Sequence, residues 1–186
     1  MEKQDIKTLK KELLEELKNN AFFKEKITLS SGKVSDYYID CRLVTLSAKG
    51  AFLSGRIILE MIKNERICAI GGPSLGADPI VGAIASLSYL DKNPINTFIV
   101  RSVPKTHGKM RHIEGPPIKS GSKVILIDDV ATTGKSILQA IELLKGDGIK
   151  VEKAIVIVDR EEGAAESLAK ENCSLIPIFK ASDFLR

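Results

Sequence analysis

The chain has 186 residues, is 44% hydrophobic and 28% charged, and carries a net charge of +4. That length suits one domain with a substantial core, and the composition excludes a disordered chain. The charge is too mild and dispersed to argue for nucleic acid, and no run approaches the roughly 18 apolar residues of a membrane helix.

The first twenty residues, MEKQDIKTLKKELLEELKNN, are dense in charge and lack the apolar stretch of a secretory signal. Within them Ile6, Leu9, Leu13, Leu14 and Leu17 recur at helical spacing and predict an amphipathic helix that ends at Asn19-Asn20. KITLSSGKVSDYYIDCRL follows, strand-like around a Ser-Ser-Gly-Lys turn, and Ser47 predicts the N-cap of a helix through Lys63. RICAIGG then reads as a buried strand, GADPIVGAIASLSYL as a helix, and NTFIV and SKVILIDD as strands. SILQAIELLK reads as a helix, VEKAIVIVD as a strand, EEGAAESLAKE as a helix and SLIPIF as a strand. Continuous aliphatic strands alternating with helices predict an α/β fold, a central parallel sheet flanked by helices on both faces. Cys41, Cys68 and Cys173 are far apart without a CxxC or Cys/His pairing, which predicts reduced thiols in a cytoplasmic protein.

Ligands of such sheets bind beyond the carboxyl ends of the strands. IGG, IVR, IDDVATTGKS and IVDRE all fall there. Between NTFIV and SKVILIDD lies RSVPKTHGKMRHIEGPPIKSG, about twenty residues without apolar periodicity, and connections of that length are commonly lids or binding loops.

The most informative stretch is VILIDDVATTGKS, Val124 to Ser136. Its GKS suggests a nucleotide P-loop, but the glycine that motif needs five positions before Gly134 is Asp129, whose carboxylate would repel a phosphate chain. The turn Ala131-Thr132-Thr133-Gly134-Lys135-Ser136 instead leads into a helix whose unpaired N–H groups and positive dipole end suit a phosphate monoester. The hydroxyls of Thr132, Thr133 and Ser136 would assist. Asp128 and Asp129, followed by Val130, are wrong for phosphate and right for sugar hydroxyls or for balancing a positive charge. Together the segment describes a 5-phosphorylated ribose. An acidic strand end followed by an ordinary helix cap would explain one part of the string and not the rest.

VILIDDVATTGKS resembles the phosphoribosyl pyrophosphate (PRPP) motif of type I phosphoribosyltransferases. VRSVPKTHG followed by RHIEGP is similar to the catalytic loop of the orotate members: Arg101, Lys105, His107 and Gly108 match, whereas Ser102 stands where the family usually has lysine. LSSGKVSDYYID resembles the family's N-terminal segment beside the pyrimidine, and GGPSLGADPI resembles its pyrophosphate-binding turn, with Leu75 where some members carry lysine.

The resemblance implies an orotate phosphoribosyltransferase, one domain over residues 1–186. It implies a small N-terminal hood drawn largely from residues 1–45 and a flexible catalytic loop at about 101–117. PRPP would be held by Arg101, Ser102, Lys105, His107 and residues Asp128 to Ser136. Orotate would meet Thr132, Arg160 and one of Tyr37 or Tyr38, since neighbours on a strand face opposite sides. A guanidinium can bind a carboxylate bidentately, and an ion pair of Arg160 with Glu161 or Glu162 is the competing account. Catalysis would rest on Lys105, His107, Asp128 and Asp129. The resemblance further implies magnesium, bridged through PRPP and water with no direct protein ligand, and a homodimer that shares the catalytic loop across its interface. Neither a nucleic acid nor a membrane is an expected partner. A transferase for another base is the nearest alternative, and a PRPP-sensing regulator without catalysis is a more distant one.

Overall fold

In the computed structural model the described residues are 5–28, 34–102 and 112–185. The first helix, α1 (Ile6–Asn20), buries Leu9, Leu13 and Leu17, one residue per turn along a single stripe. Four two-residue strands follow: β1 (Phe22–Phe23), β2 (Ile27–Thr28), β3 (Val34–Ser35) and β4 (Tyr38–Ile39). They form two small antiparallel pairs, β1 with β4 and β2 with β3. Then come α2 (Arg42–Thr45) and α3 (Ala48–Ile62), where Ser47 accepts from the Gly50 N–H at 3.0 Å, the N-cap its position predicts.

The remainder alternates strand and helix: β5 (Ala69–Pro73), α4 (Asp78–Leu90), β6 (Asn96–Val100), β7 (Ile113–Glu114), β8 (Lys123–Ala131), α5 (Lys135–Gly146), β9 (Lys150–Asp159), α6 (Ala164–Ala169) and β10 (Ser174–Lys180). The main sheet has the order β10-β9-β8-β5-β6-β7. Every pairing in it is parallel except that of β7 with β6.

Alternate residues of β8 and β9 feed two cores. Ile125, Ile127, Ile155 and Ile157 pack with Leu13 of α1, Ile57 and Ile58 of α3 and Ile80 and Ile84 of α4. Val124, Leu126, Ala154 and Val156 pack with Ile137, Ile141 and Leu144 of α5 and Leu168 of α6. Helices therefore cover both faces, which is why these strands read as unbroken aliphatic runs. Among the described residues no helix is long and apolar enough to cross a membrane.

Two boundaries differ from the sequence reading. The connection after β6, read as about twenty residues without apolar periodicity, contains β7: Ile113 and Glu114 pair with Val100 and Ile99, and two residues are too few to show a period. Strand β8 does not stop at the acids but runs through them to Ala131, paired with β9 as far as Asp159. The carboxylates thus belong to a rigid strand end.

Candidate active site

Asp128 is 5% exposed, with both carboxylate oxygens engaged. Oδ1 accepts from the Asp129 N–H at 2.9 Å and Oδ2 from the Ser136 hydroxyl at 2.9 Å. Asp129 Oδ1 accepts from the Val130 N–H at 2.8 Å. Burial and the adjacent Asp129 charge push the Asp128 carboxyl well above the usual carboxylate range. Asp129 is raised as well, chiefly by burial, against the pull of the Val130 N–H and of the Arg42 guanidinium. The site therefore holds more negative charge than its surroundings balance, and hydroxyl donors or a cation would relieve it.

Arg42 reaches this region from α2. It grips Asp40 with two hydrogen bonds, Nε to Oδ1 at 2.9 Å and Nη2 to Oδ2 at 3.0 Å, and those bonds hold the Asp40 carboxyl below its ordinary value. Nothing in YYIDCRL marks this pair in advance. The thiol of Cys41 between them is wholly buried and pushed far up by that burial. Cys173 is pushed up to about 11 by burial, Cys68 is exposed, and all three cysteines are free.

The turn after the acids needs a glycine. Gly134 has φ +79°, and a Cβ there would lie 2.9 Å from Leu168 Cδ1. That kink swings the chain into α5, whose N-terminus follows the carboxyl end of β8 after half-buried Thr132 and exposed Thr133, with Lys135 exposed as well. The Ser136 hydroxyl, expected on phosphate, donates to Asp128 and ties the helix start to the acid pair.

At the end of the neighbouring strand, the Arg160 N–H donates to Ala131 O at 2.8 Å and locks the two strand ends together. Its side chain is 3% exposed, with Nε on Glu162 Oε1 at 2.9 Å and Nη2 on Ser35 Oγ at 3.1 Å. Glu161 turns the other way, its Oε2 accepting from the Ser182 N–H at 3.1 Å. The guanidinium carbon stands 4.8 Å from the Tyr37 ring centroid. Tyr38 faces away, stacked on Phe23 at 6.3 Å with its hydroxyl donating to Asp40 Oδ2 at 3.4 Å. Of the two tyrosines, only Tyr37 shares the Arg160 side.

The third strand end is that of β6. Arg101 donates its N–H to His112 O at 2.8 Å and pairs with Glu114 at 3.5 Å, and Ser102 is exposed. Lys105, His107 and Gly108, with Lys109 and Arg111, lie outside the described residues, as do Leu29 to Lys33 of the N-terminal segment. A cavity of about 820 Å³ lined by Phe52, Arg56, Cys68 and Ile95 opens at the amino ends of β5 and β6, away from these residues.

One contact was not legible in the sequence. Gly76, in the loop after β5, approaches both acids: an added Cβ would lie 2.3 Å from Asp128 Oδ1 and 2.4 Å from Asp129 Oδ1. Gly76→Ala must displace the pair, at about 1–3 kcal/mol for such overpacking. It is expected to weaken PRPP binding about tenfold by calorimetry in magnesium. An unchanged Kd would detach Gly76 from the ligand site.

The phosphoribosyl transferase domain model matches residues 42–183. The chain is 44% identical over 157 residues to the orotate phosphoribosyltransferase of Aquifex aeolicus, covering 84% of this chain and 85% of that one. It is 43% identical over 180 residues to the enzyme of the same name from Thermosynechococcus vestitus, covering 97% and 95%. The chain belongs to the orotate phosphoribosyltransferase family. Among solved structures of the family, the Mycobacterium tuberculosis enzyme in complex with PRPP superposes with a TM-score of 0.79 at 31% identity, over 96% of this chain and 99% of that one. In this family member the acid pair, the glycine turn and Arg160 occupy adjoining strand ends of one parallel sheet.

Proposed function

We propose that this chain transfers the 5-phosphoribosyl group from PRPP to orotate, giving orotidine 5′-monophosphate and pyrophosphate in pyrimidine nucleotide synthesis. The observation that carries the reading is one juxtaposition. Buried Asp128 and half-buried Asp129 on β8, with the hydroxyl-bearing turn into α5, are tied through Ala131 O and the Arg160 N–H to a guanidinium lying against Tyr37 at the end of β9. The first half suits a phosphorylated ribose and the second suits a flat ring bearing a carboxylate.

In this reading the α5 amides with Thr132 and Thr133 hold the 5-phosphate. Asp128 and Asp129 receive the ribose hydroxyls and stabilise the positive charge that grows at the anomeric carbon. The bond from that carbon to pyrophosphate breaks as the bond to the ring nitrogen of orotate forms, and the proton of that nitrogen leaves to solvent. Arg101, Lys105 and His107 neutralise the departing pyrophosphate. A cation about 4 Å from one of its charges is worth roughly 4 kcal/mol at an effective dielectric near 20. The acid pair fits magnesium held one step away, because its excess negative charge would balance the ion through water and the ribose hydroxyls with no direct protein ligand. When bound, it would supply charge neutralisation of the diphosphate, held mostly through substrate oxygens and water.

We further place the enzyme in the cytoplasm as a homodimer with the catalytic loop shared between subunits, with support from the family resemblance and the three free thiols. The deciding assay is pyrophosphate release from PRPP with orotate, uracil, adenine, guanine or hypoxanthine. Release is expected with orotate only, and release with a purine instead would overturn the base assignment. In the same assay Lys105→Ala should lower kcat by about 100-fold or more with little change in the PRPP KM, as for a group acting on the transition state.

A further inference from the structure

The arginine that faces the proposed base is not a free cation waiting for a carboxylate. Its Nε already donates to Glu162 Oε1 at 2.9 Å, and its Nη2 donates to Ser35 Oγ at 3.1 Å. Its flat face lies 4.8 Å from the Tyr37 centroid. Ser35 is itself fixed: its hydroxyl donates to Tyr37 O at 2.8 Å and receives the Tyr37 N–H at 3.4 Å. Two segments therefore converge on the guanidinium at the end of β9: the N-terminal segment, 125 positions away, through Ser35 and Tyr37, and the adjoining turn through Glu162.

That turn is built to present Glu162. Asp159 Oδ1 accepts from the Glu161 N–H at 2.9 Å, and Glu161 adopts φ +59°, a left-handed conformation that reverses the chain within two residues of the strand. Glu161 is thereby sent to the Ser182 N–H, while Glu162 comes back onto Arg160. A long side chain with several rotatable bonds otherwise loses rotamer freedom on binding, and residues that hold it beforehand remove that cost. Glu162 also balances the buried cation while no substrate is present.

We propose that Glu162 and Ser35 are positioning residues for base recognition, which hold the Arg160 guanidinium against Tyr37 in the orientation that receives the substrate carboxylate. Selectivity for a carboxylated pyrimidine is then set in part by two side chains that need not touch it. This inference rests on the reading of Arg160 as the carboxylate's partner. It goes further by assigning residues that act through Arg160.

The test is steady-state kinetics of the full chain with orotate and PRPP, on Glu162→Ala, Glu162→Gln, Ser35→Ala, Arg160→Lys and the Arg160→Lys/Glu162→Ala double variant. Glu162→Ala should raise the orotate KM about tenfold while the PRPP KM and kcat stay within about threefold, the scale of one disordered side chain. Glu162→Gln keeps an acceptor for Nε and should recover most of the loss, and Ser35→Ala should raise the orotate KM by a few-fold. In the Arg160→Lys background, removal of Glu162 should add little, because the fork it positions is gone. The proposal falls if Glu162→Ala leaves the orotate KM unchanged or lowers it, if it raises both Michaelis constants alike, or if its effect adds in full to that of Arg160→Lys. If Arg160→Lys raises the orotate KM and Glu162→Ala does not, only the positioning role is lost. An orotate KM indifferent to Arg160→Lys removes both the carboxylate assignment and this proposal.

Discussion

Asp129→Asn is expected to abolish most turnover while making the chain more resistant to heat. The activity loss follows from the charge. A carboxylate beside an anomeric centre that becomes positive acts mainly in the transition state, and removing one such group costs about 100- to 1,000-fold in kcat. The stability gain follows from the same charge in the empty site. Asp128 is buried, Asp129 stands next to it in the chain, and both carboxyls are raised, first of all by burial. A carboxyl raised above its unfolded value, about 3.9 for aspartate, stabilises the fold fully below that value. The contribution disappears as pH climbs through the folded value. At neutral pH the pair is therefore a cost, and the asparagine amide removes one of its charges while its oxygen still accepts from the Val130 N–H. A gain of about 1 kcal/mol, roughly 2–4 °C in Tm, is the expected size. It should shrink towards zero as the melt is repeated near pH 3 to 4, about the unperturbed aspartate value. A variant that keeps its turnover, or melts lower at pH 7 than the parent, would contradict this account of the acid pair.

Arg160→Ala is expected to raise the orotate KM by about 100-fold with the PRPP KM within about threefold. A buried, hydrogen-bonded charge pair that loses one partner gives up about 2–5 kcal/mol. In this chain the loss falls on the base alone, because Arg160 stands just past the end of β9 against Tyr37 while the acids stand on β8 and the hydroxyl turn between β8 and α5. The substitution also strips Glu162 of its partner, so some loss of thermal stability accompanies it. Arg160→Lys separates the two effects: it keeps a cation near Glu162 but not the planar fork, and should still lose most of the orotate affinity. Equal weakening of orotate and PRPP in the lysine variant would show that Arg160 supports the whole site and not the base.

Much of this architecture was legible because the signals are local and redundant. Ser47 caps α3 through the Gly50 N–H because a serine before a helical run has an amide within reach whatever the rest of the chain does. The aliphatic runs of β8 and β9 announce burial on both faces, and α5 and α6 on one side and α1, α3 and α4 on the other supply it. Part of the candidate site was legible as well: VILIDDVATTGKS keeps acids, hydroxyls and glycine in one continuous order, and the fold sets that order at a strand end running into a helix, although Ser136 turns to Asp128.

Sequence by itself determined the α/β class, the run of acids, hydroxyls and glycine at the end of β8, and the family. Each depends on residues adjacent in the chain or on a period within one element. Tertiary structure alone decided which tyrosine accompanies Arg160, that Glu162 and not Glu161 pairs with it, that Ser35 reaches across 125 positions to the same guanidinium, and that Gly76 presses on both carboxylates. The reason is physical. Turn angles and strand register set where a side chain ends up, and no spacing rule relates a loop on β5 to an acid on β8 or a hydroxyl near the N-terminus to an arginine at the end of β9. Contacts of that kind exist only once the sheet has brought the strand ends together.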